Sequence, residues 1–235
     1  MSADPSARLD ELRRGLAETE DRIVAACTAA GRDRSEITLV VVTKTYPASD
    51  VDLLAGLGVT DVGENRHPEA GDKADEVEAA VRWHFLGGLQ TNKAGAVARY
   101  ADLVHSVDRV KLVNSLSRGA EAAGRTLTCL VQVDFDATDP GRAGVVPSGI
   151  PDLAAAIATA PGLQLGGLMT VAPLGDDPVP HFEHLARLSA ALREDHPDAS
   201  MISAGMSGDF EAAIAAGATH LRIGRSILGA RASTG

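Results

Sequence analysis

The stretch ITLVVVTKTYP, from Ile37 to Pro47, decides how the chain folds. It is apolar and β-branched up to Thr43 and shows no polar alternation. A run of that kind suits a parallel strand covered on both faces. An open, doubly wound sheet that binds dinucleotides would follow its first strand with GxGxxG. Here the strand runs into TKTYP instead, so the glycine turn is absent. Seven further runs follow: Thr60–Gly63, Trp83–Gly87, Leu103–Ser106, Leu127–Asp134, Leu165–Met169, Ser200–Ser203 and His220–Ile223, with alanine-rich helical stretches between them. Eight such units in 235 residues match the usual size of a (β/α)8 barrel. An amphipathic helix from about Pro5 to Ala30 comes first, so residues 1–32 are expected to pack on the barrel as an extra N-terminal helix. No composition shift marks a boundary, and residues 1–235 read as one domain.

Composition narrows the function. Lys+Arg 22 against Asp+Glu 32 gives a net charge of −10, which repels nucleic-acid backbones and anionic lipid. With 45% hydrophobic residues the chain can bury a core, which argues against disorder. The aromatic residues are Trp 1, Tyr 2 and Phe 4, too few to stack bases, so the interior is expected to be aliphatic. Cys27 and Cys129 form no CxxC pair, which fits a reducing compartment, the cytoplasm. The charged start MSADPSARLDELRRGLAETE has no apolar signal core, and no later run approaches the ~20 apolar residues of a membrane span.

Chemistry gathers at the carboxyl ends of the strands. Lys44 ends the first one, where apolar walls would strip hydration from its amine and make the charge harder to keep. Such an amine can attack a carbonyl; a lysine that merely snorkels to solvent is the plain alternative. Strand seven leads into Ser203-Ala204-Gly205-Met206-Ser207-Gly208-Asp209 and strand eight into Arg222-Ile223-Gly224-Arg225-Ser226. Glycines, the Ser207 hydroxyl and free turn amides make an anion cradle, and barrels commonly hold phosphate after strands seven and eight. Two ordinary βα turns with a capping serine are the competing reading. An amine facing a phosphate describes a bound phosphorylated aldehyde, either a sugar phosphate or pyridoxal 5′-phosphate. Arg222 favours the second, because a guanidinium beside a pyridine nitrogen keeps it unprotonated. An ion pair across the barrel end would also account for Arg222.

Other groups are weaker candidates. His84 and His105 end strands three and four, where they either line the mouth or cap the core; lining is the expectation. His181 and His184 stand three apart on one helix face but lack a convincing third metal ligand. Asp134, Asp136 and Asp139 resemble a calcium loop, broken by Pro140 and the missing closing glutamate. The loop-like stretches Asp136–Pro151 and Pro173–Pro180 are expected to cover the mouth as lids.

Taken together, VVTKTYP around Lys44, Gly63-Glu64-Asn65, Trp83-His84-Phe85-Leu86-Gly87 with Leu89-Gln90-Thr91-Asn92-Lys93, His105-Ser106-Val107-Asp108, Gly167-Leu168-Met169-Thr170, Gly205-Met206-Ser207-Gly208-Asp209 and Arg222-Ile223-Gly224 resemble the YggS/PROSC family of pyridoxal-phosphate homeostasis proteins. The resemblance covers nearly the whole chain. It implies a fold type III barrel, like the amino-terminal domain of alanine racemase, with pyridoxal 5′-phosphate as an internal aldimine on Lys44. Asn65, His84 and Met169 would lie near the cofactor, Ser207 with the Gly224 and Arg225 amides would hold its phosphate, and Arg222 would face the pyridine nitrogen.

Three departures stand out. Arg66-His67-Pro68-Glu69 follows Asn65 in place of the usual aromatic or Tyr-Val-Gln-Glu stretch, Gly87-Gly88 replaces Gly-Pro, and Arg142-Ala143-Gly144 replaces a Lys-Ser-Gly. Arg142 could bind phosphate but could not form an imine. Racemases of this cofactor class take a second acid/base group from an added β-domain, and none is expected in the short stretch from Arg222 to Gly235. The chain is therefore expected to store, shield or deliver the cofactor without substantial turnover. A weak racemase or lyase is the alternative; a cofactor-free aldolase and a regulatory interaction module are further readings. Cofactor-dependent apo-enzymes are the expected partners, with neither nucleic acid nor membrane, and the chain is expected to be a monomer.

Overall fold

In the computed structural model, which describes residues 5–136, 143–173 and 175–229, eight parallel strands close into a barrel in chain order. They are β1 Thr38–Val42, β2 Asp61–Glu64, β3 Arg82–Phe85, β4 Leu103–Val107, β5 Leu127–Gln132, β6 Leu163–Met169, β7 Met201–Ser203 and β8 His220–Ile223. Each falls on one of the apolar runs read from the sequence. The barrel shuts where β1 pairs with β8, with Thr38 opposite His220 and Val40 opposite Arg222.

Helices fill the crossovers: α1 Pro5–Ala29, α2 Ala48–Gly56, α3 Glu69–Glu76, α4 Ala94–Val97, α5 Val110–Ala123, α6 Ile150–Thr159, α7 Pro178–Asp195, α8 Phe210–Ala215 and α9 Arg225–Leu228. Helix α5 shows how the sequence sets such an element. Leu112, Val113, Leu116 and Ala120 recur at helical spacing and are buried, while Gly124 ends the helix at φ 63°. Helix α1 packs outside the barrel on α8, α9 and α2. Arg8 reaches Asp50 at 2.6 Å, and Gly15 lies so close to α9 that a Cβ there would fall 2.5 Å from the Ile227 carbonyl oxygen.

Most of the core lies between strands and helices and is aliphatic, with Leu54, Leu116, Ile157 and Leu168 fully buried beside Phe85 and Phe210. The inside of the barrel departs from the aliphatic expectation. Leu103, Leu130 and Met169 pack there, but Asp61, His84, His105, Ser203, His220 and Arg222 are buried as well. His105 on β4 bonds Ser203 on β7; those strands are not neighbours, so the contact crosses the lumen. Composition could not show this, because a few polar side chains bonded to one another satisfy burial without altering overall hydropathy.

Candidate functional site

The carboxyl ends of the strands surround a cavity of about 880 Å³. Its wall includes Lys44 and Val42 from the end of β1, Asn65 after β2, Leu86 after β3, Met169 at the end of β6, Met206, Ser207 and Asp209 after β7, and Arg222, Gly224 and Arg225 from β8 onward. Seven of the eight expected ligand-contacting residues thus line one space: Lys44, Asn65, Met169, Ser207, Arg222, Gly224 and Arg225.

His84 is the correction. It stands beneath the cavity, 1% exposed, with one ring nitrogen 2.8 Å from Asp61 and the other 2.9 Å from His105. Strand alternation puts residues two apart on the same face, one level further along. Leu86, two residues nearer the mouth, therefore takes the lining place assigned to His84. Counting levels from the strand end would have found it.

The backbone around Lys44 is held from below. Lys73, 6% exposed on α3, donates to the Thr43 carbonyl at 2.8 Å and to Glu64 Oε1 at 2.5 Å, while the Thr43 hydroxyl donates to the same carboxylate at 2.8 Å. Burial pushes the Glu64 carboxyl up against the opposing pull of Lys73 and Thr43. Thr45, next in the chain, is the one described non-glycine residue at positive φ, 70°, and its amide donates to Glu69. For a β-branched residue that conformation is strained, so the turn carrying Lys44 is fixed by its surroundings rather than by its own preference. The sequence signal for this clamp was a lysine inside an otherwise acidic helix, Glu69–Glu76.

Opposite, the anion-facing turns are built on close backbone approach. A Cβ at Gly224 would fall 2.9 Å from the Val42 carbonyl oxygen, so only glycine lets β8 turn over β1 there. In the turn after β7, Asp209 accepts from the Met206 amide at 2.6 Å and the Asp209 amide bonds the Met206 carbonyl at 3.1 Å. The first amides of α9 have no acceptor within their own helix and begin at the cavity wall. On the near side, Gly87 passes Asn65 so tightly that a Cβ would lie 2.1 Å from its carbonyl oxygen.

Arg222 sits at the floor, 6% exposed. It donates to Ser203 Oγ at 2.6 Å and to the Thr170 carbonyl at 2.7 Å. Burial lowers its guanidinium to about 10, partly offset by Asp209, and it remains cationic at neutral pH.

Comparison with known proteins places the chain in a family. Residues 16–232 match the family model described as alanine racemase, N-terminal domain. The pyridoxal phosphate homeostasis protein of Mycobacterium tuberculosis is 40% identical, the match covering 98% of each chain. The chain belongs to the family of pyridoxal phosphate homeostasis proteins. The Escherichia coli member is 36% identical over 95% of this chain and 98% of its own. Among solved structures, that of PipY from Synechococcus elongatus, with PLP bound, superposes with a TM-score of 0.80 at 29% identity, covering 93% of this chain and all of that one.

Of the segments expected as lids, Pro173, Gly175, Asp176 and Pro178 line the cavity, whereas Arg142, Asp139 and Pro140 lie outside the described residues. His181 and His184 both pack on the Phe135 ring, and no group of three or more metal-ligating side chains occurs among the described residues. No described helix is long and apolar enough to cross a membrane.

Proposed function

We propose that this chain binds pyridoxal 5′-phosphate on the Lys44 amine and serves in its homeostasis, storing, shielding or delivering it without substantial turnover. The observation that carries the reading is the shared cavity: a primary amine, two glycine turns rich in N–H donors and a buried arginine line one space. The donor set fits the group. Ser207 and the Gly224 and Arg225 amides would hold the phosphate, Asn65 and Met169 would flank the ring, and Arg222, which can donate but not accept, would face the ring nitrogen. When bound, the cofactor supplies an aldehyde that condenses with a primary amine and a ring that withdraws electrons.

The tyrosine and the two aspartates on the wall have other partners, which supports storage over turnover. Tyr46 donates its hydroxyl to the Gly229 carbonyl at 2.8 Å, and Asp209 accepts from the Met206 amide. Asp176, 61% exposed, stands 3.6 Å from His181. A proton-transfer enzyme needs an acid or base aimed at the reacting atom, and these three point to other partners.

The cytoplasm is the compartment this reading assigns, in keeping with two free, buried cysteines. Apo-enzymes that use the cofactor are the recipients it implies. A monomer suits the surface: among the described residues the large exposed hydrophobic ones are the valines Val24, Val110, Val146 and Val179.

The test is borohydride reduction of purified protein loaded with pyridoxal 5′-phosphate, followed by peptide mass spectrometry. A reduced adduct on Lys44, lost in Lys44→Ala, is the expected result. An adduct on another lysine, or racemisation or cleavage of amino acids faster than the free cofactor achieves, would overturn the reading.

A further inference from the structure

Beneath the cavity the buried polar residues form one continuous line. Arg222 donates to Ser203 Oγ at 2.6 Å, Ser203 Oγ lies 2.8 Å from His105 Nδ1, His105 Nε2 lies 2.9 Å from His84 Nδ1, and His84 Nε2 lies 2.8 Å from Asp61 Oδ1. The line starts at a residue on the cavity wall and ends at the first residue of β2, where Arg82, 58% exposed, meets the Asp61 carboxylate at 2.9 Å. Thr60 donates a further bond to Asp61 at 2.7 Å. His220 stands beside both imidazoles, 6.3 Å from each ring centre, with its Nδ1 2.9 Å from the Thr219 hydroxyl.

The direction of every proton in this line follows from its two ends. Arginine only donates, so Ser203 Oγ accepts there and turns its single hydrogen toward His105 Nδ1. That nitrogen is then an acceptor, so a neutral His105 carries its proton on Nε2 and gives it to His84 Nδ1. A neutral His84 in turn carries its proton on Nε2 and gives it to the Asp61 carboxylate. Reversing the line would require a doubly protonated His84 and a Ser203 hydrogen with nowhere in the line to go. Burial above all, followed by nearby positive charge such as Arg222, holds the His105 imidazole well below its ordinary value, in keeping with a neutral ring.

We infer that Asp61, His84, His105 and Ser203 are positioning residues: a one-way hydrogen-bond chain through the barrel lumen that fixes the Arg222 guanidinium toward whatever ring occupies the cavity. This rests on the reading that pyridoxal 5′-phosphate binds there. Two of the guanidinium's donors are spent on Ser203 and Thr170, which sets its plane and leaves its other N–H groups for the cavity. Ser203 itself is fully buried and does not line the cavity, so it can reach a ligand only through Arg222.

Two measurements test the chain. Long-range 15N–1H NMR of the cofactor-free protein at pH 8 should show His84 and His105 as neutral Nε2–H tautomers. An Nδ1–H tautomer or an imidazolium at either position overturns the assignment, and this result needs neither variant nor cofactor. Titration with pyridoxal 5′-phosphate then compares wild type, Ser203→Ala and Ser203→Thr by the visible band. Loss of one hydrogen bond to a charged group should weaken binding about tenfold in Ser203→Ala and displace the band, while Ser203→Thr, which keeps the hydroxyl, preserves both. Equal behaviour of Ser203→Ala and wild type, or equal weakening in both variants, overturns the positioning role. A wild type that shows no band refutes cofactor binding itself, a failure distinct from either of these.

Discussion

Arg222 of β8 lies in register with Val40 of β1, and Lys44 leaves the same β1 strand four residues closer to the mouth, so amine and guanidinium face one cavity at different heights. Lys44→Arg should therefore keep a cation at the upper position while abolishing covalent capture. The expected outcome is reversible pyridoxal 5′-phosphate binding with no borohydride-fixed adduct, measured by intact-mass spectrometry; a fixed adduct in this variant would place the reactive amine elsewhere.

Gly224 separates the two halves of the ligand in a second way. An added Cβ meets the Val42 carbonyl oxygen at 2.9 Å, so Gly224→Ala must displace the turn that carries the Arg225 amide. Affinity for pyridoxal 5′-phosphate should drop at least tenfold, on the order of 1.4 kcal/mol, whereas pyridoxal, which lacks the phosphate, should change little. Equal losses for the two ligands would show that the turn does not hold the phosphate.

Lys73 and Glu64 form the buried clamp on the Thr43 backbone. Removing one partner leaves a buried charge uncompensated, which typically costs about 3–5 kcal/mol, while replacing both with apolar residues can recover much of it. Lys73→Met should lower the urea midpoint strongly, and the added change Glu64→Leu should restore a large part. A single variant as stable as wild type would mean that the pair does not brace the Lys44 turn.

Acid sensitivity follows from the buried imidazoles. Burial, followed by nearby charge, brings His220 down to about 4 and holds His105 well below 6.5, so both stay neutral in the folded chain where the unfolded chain binds protons. Below pH 6.5 the unfolded state holds more protons, so stability falls with pH, for His220 by up to about 1.4 kcal/mol per pH unit as pH drops toward 4, with His105 acting in the same direction. Glu64 acts in the opposite sense, because its folded carboxyl is raised above 4.5 and takes up its proton first in the folded state. Two histidines against one carboxyl leave a net loss. Urea unfolding at pH 7.5, 6.0 and 4.5 should show the midpoint falling between the last two; a constant or rising midpoint would contradict neutral buried rings.

Much of the site was legible in the sequence because each part is local. Lys44, Asn65, Ser207 and Gly224 all stand at or just past the end of an apolar run, and in a parallel barrel every such end opens on the same face. His84 shows where that reasoning fails: it lies in the same run as Leu86, and only the level of each residue relative to its neighbours tells the floor from the wall. Gly63 opposite His84 and Glu64 opposite Phe85 fix that level.

By itself the sequence determined the order of strands and helices, the closed parallel sheet and the strand ends that carry the amine and the anion turns. Those features depend on short-range periodicity and on residues a few positions apart. Only the tertiary structure decided which polar residues meet inside the barrel, since the bond between His105 and Ser203 joins positions 98 apart and that between Arg222 and the Thr170 carbonyl joins positions 52 apart. Partners in a low-dielectric interior are chosen by three-dimensional proximity and by the need to satisfy every buried donor, and neither leaves a periodic trace along the chain.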